Sequence, residues 1–340
     1  MIPKKVILDC DPGSDDAIAM MLAMKSDAID LIGVTTVNGN RIVPKTTENS
    51  LRVVQFMKSS VPVYRGCEEP IICNEIPGRK PGLPRVTLND CHGDFLPLPE
   101  AEIRTEKEHA VFYLVKKLME SEGDIYVAAV GPLTNLAMAL RIEPKIAGKI
   151  KQLVIMGGGH CGANASPAAE FNFYADPEAA KIVMDSAIPK VILPLDATWR
   201  ACLSEEKCKE LAQLGTPEAK VAAALVQKRI DNLKVNDVSE HNYALRHQAG
   251  TVAGAMLYRY DNHMAPIHDA LAIAYLIDEN VVTELADANV DIDIAGGLCD
   301  GRMVADFHNT KKCKAPVTAK VALNSDAGLF TDMLFAALGK

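Results

Sequence analysis

The sequence predicts an α/β protein: a doubly wound, mostly parallel sheet with helices on both faces, in an open Rossmann-like single domain over residues 1–340 with a small antiparallel addition. Two observations carry that expectation. Short β-branched runs, apolar throughout as in strands covered on both faces, alternate with helical patterns along most of the chain. After residue 285 the rhythm changes. The runs LADANVDIDIAGG, RMVADF and PVTAKVAL follow one another with no helix between them, which suits an antiparallel hairpin.

KKVILDC predicts the first strand, over residues 4–9, and DDAIAMMLAMK the helix behind it, starting near Asp15. IDLIGVTTV and VPKTTENSLRVVQFMKSS give the next strand and helix, and DIYVAAV and LTNLAMALRI another pair. KQLVIMGG is a strand with DPEAAKIVMDS as a later helix, and KVILPLD precedes a helical stretch near 204–235. A last helix is expected from about residue 325. Two stretches break the alternation. Residues 66–100 contain six prolines and residues 236–266 are rich in His, Asn and Tyr. Long segments without periodic structure inside a compact domain are usually functional loops or lids, so both are expected to border a site, against the alternative of solvated connectors.

Composition excludes several classes. Hydrophobic residues make up 49% and charged residues 24%, ordinary globular usage, and no apolar run is long enough to cross a bilayer. A net charge of -8 without a concentrated Lys/Arg block gives no electrostatic reason for nucleic-acid or membrane partners, so small molecules are the expected ligands. MIPKKVILDCD lacks the features of a signal peptide, and a cytoplasmic location is expected. Nine cysteines, an odd number with no CxxC pair, are read as reduced thiols.

The chemistry concentrates in VILDCDPGSDDAIAM, which places Asp9, Asp11, Asp15 and Asp16 within eight positions behind an apolar run. Carboxylates crowded at short range repel, and some are forced to hold protons unless a cation or a set of donors compensates. In a parallel α/β sheet this segment falls beyond the carboxyl end of a strand, where ligands bind. Dense oxygen donors suit Ca²⁺ or Mg²⁺, whereas Zn²⁺ would recruit His or Cys. An EF-hand is excluded, since counting from Asp9 puts Ser14 at the glycine position and Met20 at the glutamate position. GxxxxGK[ST] is absent as well. A second acidic contributor is Asp269 in APIHDALAIAYLID, beside His268; taken alone, each reads better as a structural residue, and the pair gains weight only together with the first cluster. In EFNF at 170–173, Glu170 and Asn172 alternate around Phe171, so in an extended segment they point to one side, a layout suited to sugar hydroxyls. GGG at 157–159 allows close backbone approach or a turn, and Trp199 reads as packing rather than base stacking.

Taken together, LDCDPGSDDA, TTVNGN, the HG at 92–93, AVGPLTNLA, IMGGG, AEFN followed by DPEAA, HDALAIAY and the late VADF resemble the calcium-dependent nucleoside hydrolases of the inosine-uridine-preferring family. The resemblance implies hydrolysis of the N-glycosidic bond of purine or pyrimidine ribonucleosides to free base and ribose, in nucleoside salvage. It implies Ca²⁺ held by Asp11, Asp16, Asp269 and the carbonyl of Val130, with Asp11 as general base toward the attacking water and His268 as the acid for the leaving base. Asp15 and Asn172, with Asn40 nearby, would hold the 2'- and 3'-hydroxyls, and Asn164 and Glu170 the 5'-hydroxyl. His92 would border the nucleobase, and Met156 and Phe171 complete the substrate-binding set. A homodimer or homotetramer is implied too. The chain departs from the family pattern after His92, where GDFLPLP lacks a second glycine, and in a longer Pro-rich loop before it.

Three rivals remain. A haloacid dehalogenase-type Mg²⁺ phosphohydrolase would use Asp9 as nucleophile and Asp11 as acid/base, but the later lysine and acidic pair it needs are not evident and Asp15 and Asp16 go unexplained. A non-catalytic nucleoside- or ribose-binding protein would keep the sugar contacts without turnover. A nucleoside phosphorylase would need an arginine cluster for phosphate, which the sequence does not display.

Overall fold

A computed structural model of the chain describes residues 2–72, 75, 92–235, 263–308 and 316–340. Most of the two stretches expected to border the site, 66–100 and 236–266, lies outside the described residues.

Eleven strands are found among the described residues: β1 (Lys4–Cys10), β2 (Ile29–Thr36), β3 (Val63–Arg65), β4 (Ile125–Ala129), β5 (Ile150–Met156), β6 (Lys190–Leu193), β7 (Cys202–Ser204), β8 (Met264–Pro266), β9 (Val282–Ile292), β10 (Met303–Asp306) and β11 (Ala319–Ser325). Nine form one sheet in the order β10-β9-β11-β6-β5-β4-β1-β2-β3, while β7 and β8 pair antiparallel apart from it. From β6 to β3 every neighbour is parallel, and β9 and β10 add the antiparallel edge expected after residue 285. Strand order reverses between β1 and β4. The chain winds outward from β1 through β2 to β3, then returns to the other side of β1 and winds outward again through β5 and β6. In such a sheet the crevice at that switch point, beyond the carboxyl ends of the strands, is where ligands bind.

Helices cover both faces: α1 (Ser14–Lys25), α2 (Val43–Phe56), α3 (Ala110–Met119), α4 (Thr134–Ile142), α5 (Phe171–Ala175), α6 (Pro177–Met184), α7 (Leu195–Thr198), α8 (Glu205–Gln213), α9 (Pro217–Val235), α10 (His268–Ile277) and α11 (Ala327–Leu338). The period-2 alternation of each strand divides the core. Val6, Leu8 and Cys10 face one hydrophobic layer with α1, α9, α10 and α11, while Ile7, Val127 and Ile155 face the other with α3, α4 and α6. The helical stretch near 204–235 is two helices. Gly215, at φ +86°, ends the first, and Pro217 opens the second with a fixed φ suited to a helix start.

Most helices bury one stripe, but α1 and α10 have almost no solvent face. Residues 14–23 of α1 are buried, and so are residues 268–276 of α10. Helices apolar all round belong in an interior. These two pack directly on each other within one hydrophobic layer. Both N-termini open at the switch point.

Candidate active site

β1 runs into Asp9-Cys10-Asp11, and Pro12-Gly13 turns the chain into α1. Asp9 is fully buried, with Oδ1 accepting from Thr35 Oγ1 (2.6 Å) and Asn135 Nδ2 (2.8 Å). Burial pushes its carboxyl up to about 6 despite those donors. Asp9 therefore braces the ends of β1, β2 and α4 from behind, and Asp11 is the aspartate that reaches the mouth.

Asp16 sits three residues past Gly13 and reaches back, accepting from Gly13 N–H (2.9 Å) and Asp11 N–H (3.1 Å). Asn40, from the turn after β2, clamps the same loop: its N–H donates to Asp11 Oδ2 (2.5 Å) and its Nδ2 to Asp11 O (3.1 Å) and Asp16 Oδ2 (3.3 Å). Asp269 enters from the first turn of α10. Asp15, Asp16 and Asp269 each present an oxygen within 4.8 Å of the others, and all three are buried. Asp11 adjoins this group through Asp16. Two glycines make room for its carboxylate, since a Cβ on Gly39 would fall 2.0 Å from Asp11 Oδ2 and one on Gly131 would fall 2.7 Å from Oδ1. Gly39→Ala is expected to displace Asp11 and lower kcat by about a hundredfold, the scale of a 1 Å misplacement, with circular dichroism unchanged. An unimpaired rate would show that Asp11 is not held by that contact.

The charges are sorted unequally. Burial and then Asp16 push Asp11 well above the usual carboxylate range, and burial with Asp15 and Asp16 does the same to Asp269. Burial and then Asp15 raise Asp16 to about 6. Asp15 goes the other way. Burial alone would raise it, but Arg229, with His92 and His268, overrides that and holds it near 2. A group of buried oxygen donors that cannot all ionise alone is a fit environment for a hard divalent cation.

The remaining expected residues are held by contacts of their own. His268 opens α10, with Nδ1 2.8 Å from Thr198 Oγ1 at the end of α7. His92 lies on the start of α1, where Nδ1 accepts from Ser14 N–H (3.0 Å) and stands 3.9 Å from Asp15 Oδ1. Asn172 donates through Nδ2 to the carbonyls of Val130 (2.8 Å) and Met156 (3.0 Å), tying the ends of β4 and β5. Its amide hydrogens are thus used internally, and Oδ1 is the atom it can offer a sugar. Asn164 Oδ1 accepts from Phe171 N–H (2.8 Å). Met156 is buried, with its sulfur against Asn172, and Phe171 is half-buried at the start of α5. A 500 Å³ cavity adjoins Asn164, lined by residues 159–168 and Arg302.

One expectation needs correction. EFN is not extended: Glu170 caps α5, and Phe171 and Asn172 are its first two residues. Glu170 accepts from Asn172 N–H (2.9 Å), Phe173 N–H (3.2 Å) and Gly158 N–H (2.8 Å). The unpaired N–H groups of a helix start, together with one from the GGG turn, recruited the carboxylate inward. Burial nevertheless raises it to about 7. Trp199 is buried as expected, with Gly162 directly against its ring.

Arg229 was not anticipated. It reaches from α9 to Asp15 Oδ1 at 2.8 Å, with both side chains largely buried. Its signal was present, because Arg229 lies on the stripe of α9 formed by Ala219, Ala222, Val226 and Ile230, all buried. A charge on an apolar stripe requires a partner.

The doubly wound sheet and the oxygen donors at its switch point define an α/β enzyme whose buried carboxylates could hold a metal ion. The chain matches the family model of inosine-uridine preferring nucleoside hydrolases over residues 6–332 and belongs to that family, whose members hydrolyse the N-glycosidic bond of nucleosides. It is 35% identical over 337 residues to the pyrimidine-specific ribonucleoside hydrolase RihB of Escherichia coli O157:H7, covering 97% of this chain and 95% of that protein. Among solved structures it resembles the plant nucleoside hydrolase PpNRh1, with 27% identity, a TM-score of 0.82 and 99% of each chain covered. It also resembles the purine-preferring ribonucleoside hydrolase from Gardnerella vaginalis, with 25% identity, a TM-score of 0.82, and 99% of this chain and 98% of that one covered.

Proposed function

We propose that this chain is a Ca²⁺-dependent ribonucleoside hydrolase in which Asp11 is the general base and His268 the leaving-group acid. The observation that carries the reading is the group of buried carboxylates at the switch point, too crowded to ionise together without a cation. Asp11, Asp16, Asp269 and the carbonyl of Val130 would hold the ion, an all-oxygen set of the kind Ca²⁺ accepts. When bound, Ca²⁺ supplies the positive charge that makes the crowding tolerable and acidifies a water.

This chain's own residues perform the rest. Asp11 accepts a proton from the attacking water, a transfer that positioned carboxylates accelerate by about 10²–10⁴. Attack is at the anomeric carbon. The carboxylates beneath the ring oppose the positive charge that an oxocarbenium-like transition state develops. Asp15, Asn172 Oδ1 and Asn40 receive the 2'- and 3'-hydroxyls, while Asn164 NH₂, braced through Phe171 above the Glu170 cap, takes the 5'-hydroxyl. His268, oriented by Thr198, protonates the departing base, with His92 at its edge. An imidazole suits that task because it changes charge near neutral pH.

The rivals lose support. Asp9, the nucleophile of a phosphohydrolase, is fully buried and engaged by Thr35 and Asn135. A binding-only protein has no need of both Asp11 and His268. Among the described residues no helix is long and apolar enough to cross a membrane, and a cytoplasmic location is part of the proposal. We read the chain as one domain that forms a homodimer or homotetramer.

The test is base release from inosine, adenosine, guanosine, uridine and cytidine without phosphate, before and after EGTA. Metal-dependent release is expected, and the panel ranks purines against pyrimidines. Strict dependence on phosphate would indicate a phosphorylase, and cleavage of phosphate esters alone a phosphohydrolase.

A further inference from the structure

We infer that Arg229 is a positioning residue that reserves Asp15 for a ribose hydroxyl by holding one oxygen of its carboxylate and keeping the divalent ion off it. The inference rests on the reading that Asp15 meets the sugar.

Three observations converge. Arg229 Nη1 lies 2.8 Å from Asp15 Oδ1, with the side chains only 12% and 8% exposed. Arg229 projects from the buried stripe of α9, between Val226 and Ile230, where a guanidinium is costly to bury unless it is paired. Asp15 also offers an oxygen within 4.8 Å of oxygens from Asp16 and Asp269, and would otherwise be equivalent to them as a ligand.

A guanidinium carries its charge at every working pH and offers donors only. At Asp15 Oδ1 it therefore repels a dication while anchoring the carboxylate, and it divides the aspartates into two classes. Asp11, Asp16 and Asp269 are left to the metal. Asp15 stays ionised, with its second oxygen presented to a hydroxyl hydrogen. Lysine would supply the charge without the planar fork, and a neutral side chain would supply neither.

The test compares wild type, Arg229→Met and Arg229→Lys at saturating Ca²⁺ on uridine, 2'-deoxyuridine and 3'-deoxyuridine. Arg229→Met is expected to lower kcat/KM for uridine by at least about tenfold, chiefly through KM, and by no more than about threefold on the deoxynucleoside lacking the hydroxyl that Asp15 holds. Arg229→Lys should show the same pattern with a smaller loss, and it carries the test if the methionine variant fails to fold. Competitive inhibition by D-ribose and 2-deoxy-D-ribose reads the same difference where turnover is too slow. Calorimetric Ca²⁺ affinity should not weaken in either variant. Equal losses on all three nucleosides, no loss on any, or a Ca²⁺ affinity weakened more than about tenfold would overturn the inference. Wild-type protein that cleaves no nucleoside would instead overturn the functional reading beneath it.

Discussion

Asp11→Ala abolishes turnover and leaves the fold standing. The expected fall in kcat is about 10⁴ or more, the upper range for loss of a general base, because the same side chain is also assigned to the ion. The fold survives because two effects oppose each other. Removing the carboxylate leaves Asn40 N–H without its acceptor, a cost of about 1–3 kcal/mol for a buried donor. It also removes one member of a group in which burial and then Asp16 already push Asp11 well above the usual carboxylate range. Stopped assays on a nucleoside and thermal melts in EGTA check both halves. A variant with near-wild-type rate would remove Asp11 from the mechanism, and one that does not fold would make it a structural residue.

Removing the metal has the second large effect, with a pH dependence of definite sign. EGTA dialysis is expected to reduce the rate by more than about a hundredfold, since a metal supplies several kcal/mol of transition-state stabilisation, and Ca²⁺ should restore it better than Mg²⁺. Asp16 in the fold titrates at about 6, above its ordinary 3.8, and Asp11 and Asp269 are displaced in the same direction. The metal-free fold therefore binds protons more tightly than the unfolded chain. It gains stability as pH falls from about 6 toward 4 and loses it as pH rises through 6. Asp15, near 2, contributes oppositely, but its stabilisation is lost only as pH falls from its ordinary 3.8 through 2. The ion in turn needs its ligands deprotonated. Calcium at about a thousand times its Kd should raise Tm by about 5–10 °C near neutral pH, and by less than half of that near pH 5. A calcium effect on Tm that is equal at both pH values, or larger in acid, would show that these carboxylates do not hold the ion.

How much of this was legible in the residues depends on how local the causes are. β1, β2, β4, β5 and β6 read directly, because a strand covered on both faces must be apolar along its length. The aspartate loop read directly too, since four carboxylates in eight positions conflict with electrostatics unless something compensates. EFN misled because alternation over so few residues fits a strand and the first turn of a helix equally. What decided it was Gly158 and the start of α5 competing for Glu170, contacts between turns that spacing does not encode. Arg229 lies far along the chain from Asp15 and belongs to no motif. Only its conflict with the apolar stripe of α9 marked it. Which carboxylate is pushed up and which is held down was likewise invisible, because it is set by the neighbour each one meets in space.

The burial of α1 and α10 against each other makes the metal site a gauge of the protein's interior. Asp16 and Asp269 ride on the leading ends of these two rods, and no flexible segment intervenes to absorb an error in their spacing. A larger side chain forced into the buried body of either rod is expected to shift their spacing and, on the proposed function, to be felt as a weaker calcium isotherm. Directed evolution of this scaffold for a different cation thus has two dials: the oxygen donors themselves, and the packing of the two rods that sets how far apart they stand.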